Sequence, residues 1–232
     1  MAVLGVIPCR LGASRLPGKP LAEIGGLPMV VRVWQRASAA GGVDRLLVAT
    51  EDREIAVACG RFSVPVQLTP PCANGTERVL WVAASAGADV VVNIQGDEPL
   101  VEPAHIDRLV ERVRAGAPIA TLCAPLHQDV QNPARVKVVR DQAGDALYFS
   151  RLPVPRNGPW WLHLGLYAFG AEAQRRIPTL PPGALEASEG LEQLRWLEAG
   201  LKIGLVEVDE AAPGVDTPED LERVRRIVEG AR

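Results

Sequence analysis

The chain has 232 residues, of which 47% are hydrophobic and 23% charged, with a formal net charge of −3 at pH 7. That balance indicates a folded core and excludes both a disordered chain and a general nucleic-acid surface, so any anion site must be local. The N-terminal apolar run is too short for a signal peptide, and no segment offers the roughly eighteen uncharged residues of a membrane span.

In chain order, Val3 to Ile7 is a short apolar run ended by Pro8, which suits a buried parallel strand. The loop after it is punctuated by Gly12, Pro17, Gly18 and Pro20 and carries three cations, Arg10, Arg15 and Lys19, within ten residues. Crowded cations repel one another, and a polyphosphate would offset that cost, with glycines letting backbone N–H groups approach its oxygens. The spacing is not that of a Walker P-loop; the competing reading is a solvated basic turn. Pro28 to Ala40 has helical spacing, Arg45 to Thr50 reads as a strand, and Ile55 to Cys59 belongs to the next helix. Val64 to Leu68 reads as a third strand, and Asn74-Gly75-Thr76-Glu77 opens a helix running through Ala86. Val90 to Ile94 is a buried strand followed at once by Gln95-Gly96-Asp97-Glu98-Pro99; a helix over Pro103 to Arg114 and a strand over Ile119 to Ala124 continue the alternation. Repeated β-then-α order with short connections predicts an α/β fold with a doubly wound, mostly parallel sheet.

After Pro125 the texture changes. Val136–Val139, Leu147–Phe149 and Leu164–Phe169 read as short strands separated by turns. We read them as an inserted antiparallel arm, at about residues 126–170, within a single domain spanning residues 1–232. Such an arm is a usual place for an acceptor site or a dimer contact. Leu191 to Ala199 reads as a helix and Ile203 to Val208 as a strand of the main sheet. The last helix is expected to start with Thr217 as N-cap, Pro218 at N1 and Asp220 at N3. Cys9, Cys59, Cys72 and Cys123 contain no C-x-x-C pair, which suits reduced thiols in a cytoplasmic protein.

Ligands of open α/β sheets bind beyond the carboxyl ends of the strands. The basic loop, Gln95 to Pro99 and Asp216 all fall there. Two carboxylates, Asp97 and Asp216, brought together at the mouth of a sheet repel unless a cation lies between them. With oxygen ligands only, Mg²⁺ is the favoured ion, although an acid beside a helix N-terminus is also stabilised without metal. Gly75 to Arg78 could present amides and Arg78 to an anion, as could the start of any helix. His163 and Tyr167, four apart on a strand, share a face, and a lone strand His also serves as a structural residue. Glu189 and Gln193 lie one helical turn apart, on a face that could equally be solvated.

Taken together, RLPGKP (Arg15–Pro20), GTER (Gly75–Arg78), NIQGDEP (Asn93–Pro99), VKVV (Val136–Val139), ALYFSR (Ala146–Arg151), HLGLYAF (His163–Phe169), LEQLR (Leu191–Arg195) and GVDTPEDLERVR (Gly214–Arg225) resemble the 3-deoxy-manno-octulosonate cytidylyltransferases, from Val3 to about Val228. The resemblance implies a fold like that of nucleotide-diphospho-sugar transferases. It also implies transfer of CMP from CTP to the anomeric hydroxyl of an eight-carbon sugar acid, Kdo, for lipopolysaccharide assembly. Arg10, Arg15 and Lys19 would hold the triphosphate, while Cys9, Gly75, Thr76 and Arg78 enclose the cytidine. Arg10, Lys19 and Asp97 would be catalytic, and Asp97 and Asp216 would hold Mg²⁺. Gln95, Arg151, His163, Tyr167, Glu189 and Gln193 would surround the sugar, with Arg151 on its carboxylate. A homodimer without nucleic-acid partners or membrane insertion is implied. The chain departs from the family at Cys9, where Ala is usual, in the loop to Ser14, the one that remains of two usual hydroxyl residues, at Asn74 where Ser is usual, and in a short segment between Arg151 and His163. The alternatives are a cytidylyltransferase for another nonulosonic or octulosonic acid, or a silent nucleotide-binding relative.

Overall fold

The computed structural model describes residues 1–12 and 16–230. In chain order the elements are β1 (Val3–Cys9), β2 (Glu23–Ile24), β3 (Leu27–Pro28), α1 (Met29–Ala37), β4 (Arg45–Thr50), α2 (Arg53–Gly60), β5 (Val66–Leu68), α3 (Gly75–Ala86) and β6 (Val90–Asn93). They continue as α4 (Pro103–Arg114), β7 (Ile119–Leu126), β8 (Lys137–Arg140), β9 (Ala146–Ser150), β10 (Trp160–Gly170), α5 (Ala171–Arg176), α6 (Ala184–Glu189), α7 (Gln193–Glu198), β11 (Ile203–Glu207) and α8 (Pro218–Gly230). Two compact units result: Met1–Asp107 with Ala212–Arg232, and Arg108–Ala211. Among the described residues no helix is long and apolar enough to cross a membrane.

The first unit is built on four parallel strands in the order β6-β1-β4-β5. β1 is buried at six of its seven positions and β6 at all four, the burial that a strand covered on both faces requires. The chain steps from β1 outward to β4 and β5, then returns to place β6 on the other side of β1. That reversal leaves a crevice at the carboxyl ends of β1 and β6, where ligands of doubly wound sheets bind. α3 packs on β1 and β6, and α1 on β1 and β4. α8 begins as its sequence predicts: Asp220 N donates to Thr217 Oγ1 (3.2 Å) and Thr217 N to Asp220 Oδ2 (3.1 Å), a reciprocal cap.

The second unit is mixed. β11 runs parallel to β7, while β7, β10, β8 and β9 follow one another antiparallel. Its core is aromatic: Tyr167 stacks on Phe169 at 5.7 Å, and Trp196 of α7 meets both edge-on at 5.2 and 5.4 Å. β10, α5, α6 and the two-residue strands β2 and β3 differ from the sequence expectation. β10 starts at Trp160, four residues before the apolar run from Leu164, because Trp160 to His163 pair with Leu126 to Cys123. α5 and α6 were not expected, each being six residues long and too short to display a helical period.

Candidate active site

The loops after β1 and β6, the start of α3 and the approach to α8 enclose a cleft of about 370 Å³ in the first unit. That volume lies in the range of small-ligand sites. Arg10, Lys19, Cys9, Gly75, Arg78, Gln95, Asp97 and Asp216 all line it. Arg15 lies outside the described residues. Thr76 is buried, its hydroxyl 3.5 Å from Asn93 Nδ2, and does not line the cleft.

The basic loop is drawn back over the sheet by Leu11 N, which donates to Asp52 Oδ2 at 2.8 Å. Gly18 then takes a left-handed conformation, φ 69°, and turns the chain so that Lys19 enters the cleft. Lys19 Nζ donates to Asp97 Oδ2 (2.8 Å), Asp216 Oδ1 (3.2 Å) and the Val215 carbonyl (2.9 Å). The cation that reconciles the two carboxylates is therefore a lysine ammonium. The Val215 N–H also donates to the Asp97 carbonyl (2.9 Å), tying the two acidic loops together. The Lys19 side chain is 14% exposed, whereas Asp97 and Asp216 are 34% and 49% exposed. Among the described residues no group of three or more His, Cys, Asp or Glu side chains could hold a metal. Mg²⁺ needs only one or two carboxylates when phosphates and water supply its other ligands, so the oxygen-only pair Asp97 and Asp216 fits it.

Gly96 makes this geometry attainable. A Cβ there would lie 2.6 Å from Cys9 Sγ and 2.9 Å from the Pro8 carbonyl, so any side chain would push the loop carrying Asp97 off the end of β1. Burial pushes the Cys9 thiol well above its ordinary range, so Cys9 serves as packing and not as a nucleophile. Asn74 caps α3 by accepting from Glu77 N (2.8 Å). Arg78, only 2% exposed, is held by Thr69 Oγ1 and by Glu51, whose Oε2 lies 3.4 Å from Nη2. The sequence reading missed Gly96, Asp52 and Glu51. A glycine flanked by Gln95 and Asp97 was the available signal for the first; nothing local marks the other two.

In the second unit the structure gathers the remaining expected residues except Gln95, which lines the cleft of the first. Glu189, at the end of α6, accepts from Ser150 Oγ (3.0 Å), Tyr148 OH (3.4 Å) and Arg151 N (2.9 Å). The Arg151 guanidinium donates to the carbonyls of Glu189 (2.8 Å), Pro133 (3.1 Å) and Gly190 (3.2 Å). His163 lies edge-on to Phe149 at 5.0 Å and beside Tyr167 at 5.4 Å, and burial pulls its pKa down to about 3. His163 Nε2 sits 3.1 Å from Thr121 Oγ1. That hydroxyl has one proton to give and lies 3.0 and 2.8 Å from the Leu164 and Leu166 carbonyls, so the network closes when His163 Nε2 carries the hydrogen and donates. Tyr167 is 4% exposed, and burial raises its phenol well above the ordinary value. Gln193 is 4% exposed at the first position of α7.

A cytidylyltransferase family model matches residues 4–203. A 3-deoxy-manno-octulosonate cytidylyltransferase of Anaeromyxobacter sp. (strain Fw109-5) is 45% identical, the match covering 96% of this chain and 95% of the relative. Another, from Syntrophobacter fumaroxidans, is 48% identical over 97% of this chain and 96% of its own length. A solved CMP:2-keto-3-deoxy-manno-octonic acid synthetase complexed with CTP superposes with a TM-score of 0.96 at 38% identity, covering all of both chains.

Proposed function

The chain belongs to the cytidylyltransferase family, and from that premise we propose that it transfers CMP from CTP to the anomeric hydroxyl of 3-deoxy-D-manno-octulosonate, releasing pyrophosphate. The observation that carries the reading is the cleft in which one lysine and two carboxylates meet beside an anion-ready helix start. Phosphoryl chemistry of this kind depends on positioning and electrostatics, and it needs no protein nucleophile.

Arg10 and Lys19, together with Arg15, are assigned to the triphosphate. The backbone at Cys9 and the Gly75–Arg78 turn are assigned to the cytidine. Asp97 and Asp216 would hold Mg²⁺, which supplies charge neutralisation and Lewis acidity at the phosphates when bound. Lys19 then has a second task, since its ammonium can serve phosphate oxygens as readily as carboxylates. Acceptor-contacting roles are assigned in the second unit to Arg151, His163, Tyr167, Glu189 and Gln193. His163 acts there as a neutral hydrogen-bonding group, because burial keeps it unprotonated near pH 7.

We place the activity in the cytoplasm, which the four unpaired cysteines suit, and in the supply of activated sugar acid for lipopolysaccharide. A homodimer is supported by two apolar side chains standing in solvent on or beside β9, Leu147 at 59% and Leu152 at 66% exposure. The test is pyrophosphate release from four nucleoside triphosphates crossed with several sugar acids. Turnover confined to CTP with the eight-carbon 2-keto acid is expected; preference for a nine-carbon acid would reassign the acceptor, and no turnover with any pair would remove the activity.

A further inference from the structure

Arg78 is a buried cation with donors to spare. It sits in the first turns of α3, is 2% exposed and lines the cleft. Its Nη1 donates to Thr69 Oγ1, and its Nη2 lies 3.4 Å from Glu51 Oε2. That carboxylate oxygen is closed off from solvent and accepts no hydrogen bond from any described residue. Glu51 therefore balances the charge of Arg78 without taking up its N–H groups, and the guanidinium keeps most of its donor fork in reserve. Glu77, the other acid nearby, is engaged elsewhere, its Oε2 accepting from Ala73 N at 2.6 Å. Glu51 directly follows β4 and Thr69 directly follows β5. Thr69 N donates to the Thr50 carbonyl (2.9 Å), so the two strand ends are tied together where they meet the guanidinium.

A guanidinium only donates. Cytosine offers it adjacent acceptors, N3 and O2, whereas uracil carries a hydrogen on N3 that would face the guanidinium donor to donor. A site built on such donors rejects the wrong base because a buried N–H is then left unpaired. We propose that Glu51 and Thr69 are positioning residues for base choice: they hold the Arg78 guanidinium, charge-balanced and with N–H groups in reserve, so that it donates to N3 and O2 of cytosine and refuses uracil. The inference rests on the assignment of the Gly75–Arg78 turn to the cytidine of CTP and names what makes that turn choose its base. Glu51 acts through Arg78, not by touching the nucleotide.

The experiment measures CTP and UTP binding by titration calorimetry without acceptor, for wild type, Glu51→Gln and Thr69→Val. The KM of each substrate in pyrophosphate release follows. Glu51→Gln keeps the size of the side chain and removes its charge, so Arg78 loses its counter-ion. CTP is expected to bind about tenfold or more weaker, the scale of one charge-assisted hydrogen bond. UTP gains nothing from the fork at N3 and should change less, so the preference for CTP falls while the sugar KM stays near that of wild type. Thr69→Val should lower the same preference by a smaller factor, and it decides alone if Glu51→Gln does not fold. Equal weakening of CTP and UTP would make the pair a structural brace with no part in base choice, and would overturn the inference. Unchanged CTP affinity in Glu51→Gln, or an unchanged preference in Thr69→Val, would overturn it as well. Glu51→Asp restores the charge and should recover part of the preference; an Asp variant no better than Gln would count against the counter-ion. Binding without acceptor separates this inference from the assigned reaction. Selective CTP binding that depends on Glu51, with no turnover of Kdo, would remove the reaction and leave the inference standing. A wild type that binds UTP as tightly as CTP would dispose of it.

Discussion

Lys19 in the first unit and Lys137 in the second are both held by oxygen acceptors, but the acceptors differ in kind. Lys19 shares two carboxylates that remain a third and a half exposed, together with one carbonyl. Lys137 is sealed from solvent, and its ammonium donates to two main-chain carbonyls. Carboxylates at a cleft can be served by another cation or by water, so the contacts of Lys19 can be exchanged. The Lys137 side chain is itself closed off from water, so its two carbonyl contacts are not readily exchanged. The same side chain therefore makes a ligand-ready contact in one unit and a fixed main-chain contact in the other, and the kind of its partners decides which.

The largest test of this contrast is catalytic. Lys19→Met and Asp97→Asn should each keep the fold, seen as an unchanged circular dichroism spectrum, yet lower the rate of pyrophosphate release about a hundredfold or more, the scale for losing an electrostatic contact in a water-poor site. A loss below threefold in both would return the basic loop to a solvated turn. A smaller effect is expected from Gly96→Ala. It keeps every charge and crowds the Cys9 sulfur and the Pro8 carbonyl, so urea unfolding should show about 1–3 kcal/mol of destabilisation, typical of overpacking. Stability equal to wild type would mean that the Asp97 loop can lift without cost.

The remaining test concerns pH. His163 is held near pKa 3 in the fold, against an ordinary value of 6.5. Between those values the unfolded chain takes up a proton that the folded protein refuses, so this residue's contribution makes stability fall as pH drops from about 6.5 toward 3 and leaves it flat above. His163→Gln should flatten that part of the pH–stability curve measured by thermal unfolding. Parallel curves for variant and wild type would show that His163 takes up its proton in the fold as it does in the unfolded chain, and that the second unit is less sealed than its contacts indicate.

Much of this was legible in the sequence because it is local. β4 and α4 lie where the pattern places them, Arg45–Thr50 and Pro103–Arg114, and the Thr217–Asp220 cap is written in four residues. Asn74, a departure from the usual Ser, caps α3 as Ser would, since both side chains accept from the N3 amide. What stayed hidden is distant in sequence. Lys19 meets Asp97 across 78 positions and Asp216 across 197. Spacing suggests a cation between the acids; that Lys19 reaches both is visible only in the folded chain. Arg151 is a second case: its guanidinium meets the carbonyls of Pro133, Glu189 and Gly190, 18 to 39 positions away.

The placement of Lys19 also has a thermodynamic corollary. A divalent cation offered to Asp97 and Asp216 must compete with an ammonium already seated on their oxygens. Phosphates that draw Lys19 toward themselves relieve that competition, and a cation that takes the carboxylates releases Lys19 to the phosphates. By reciprocity of linked equilibria, each ligand must then tighten the other by the same factor. Charge exchange at one lysine would thus couple nucleotide and metal into a single cooperative binding event, while in the ligand-free protein one of the two carboxylate charges is balanced from within.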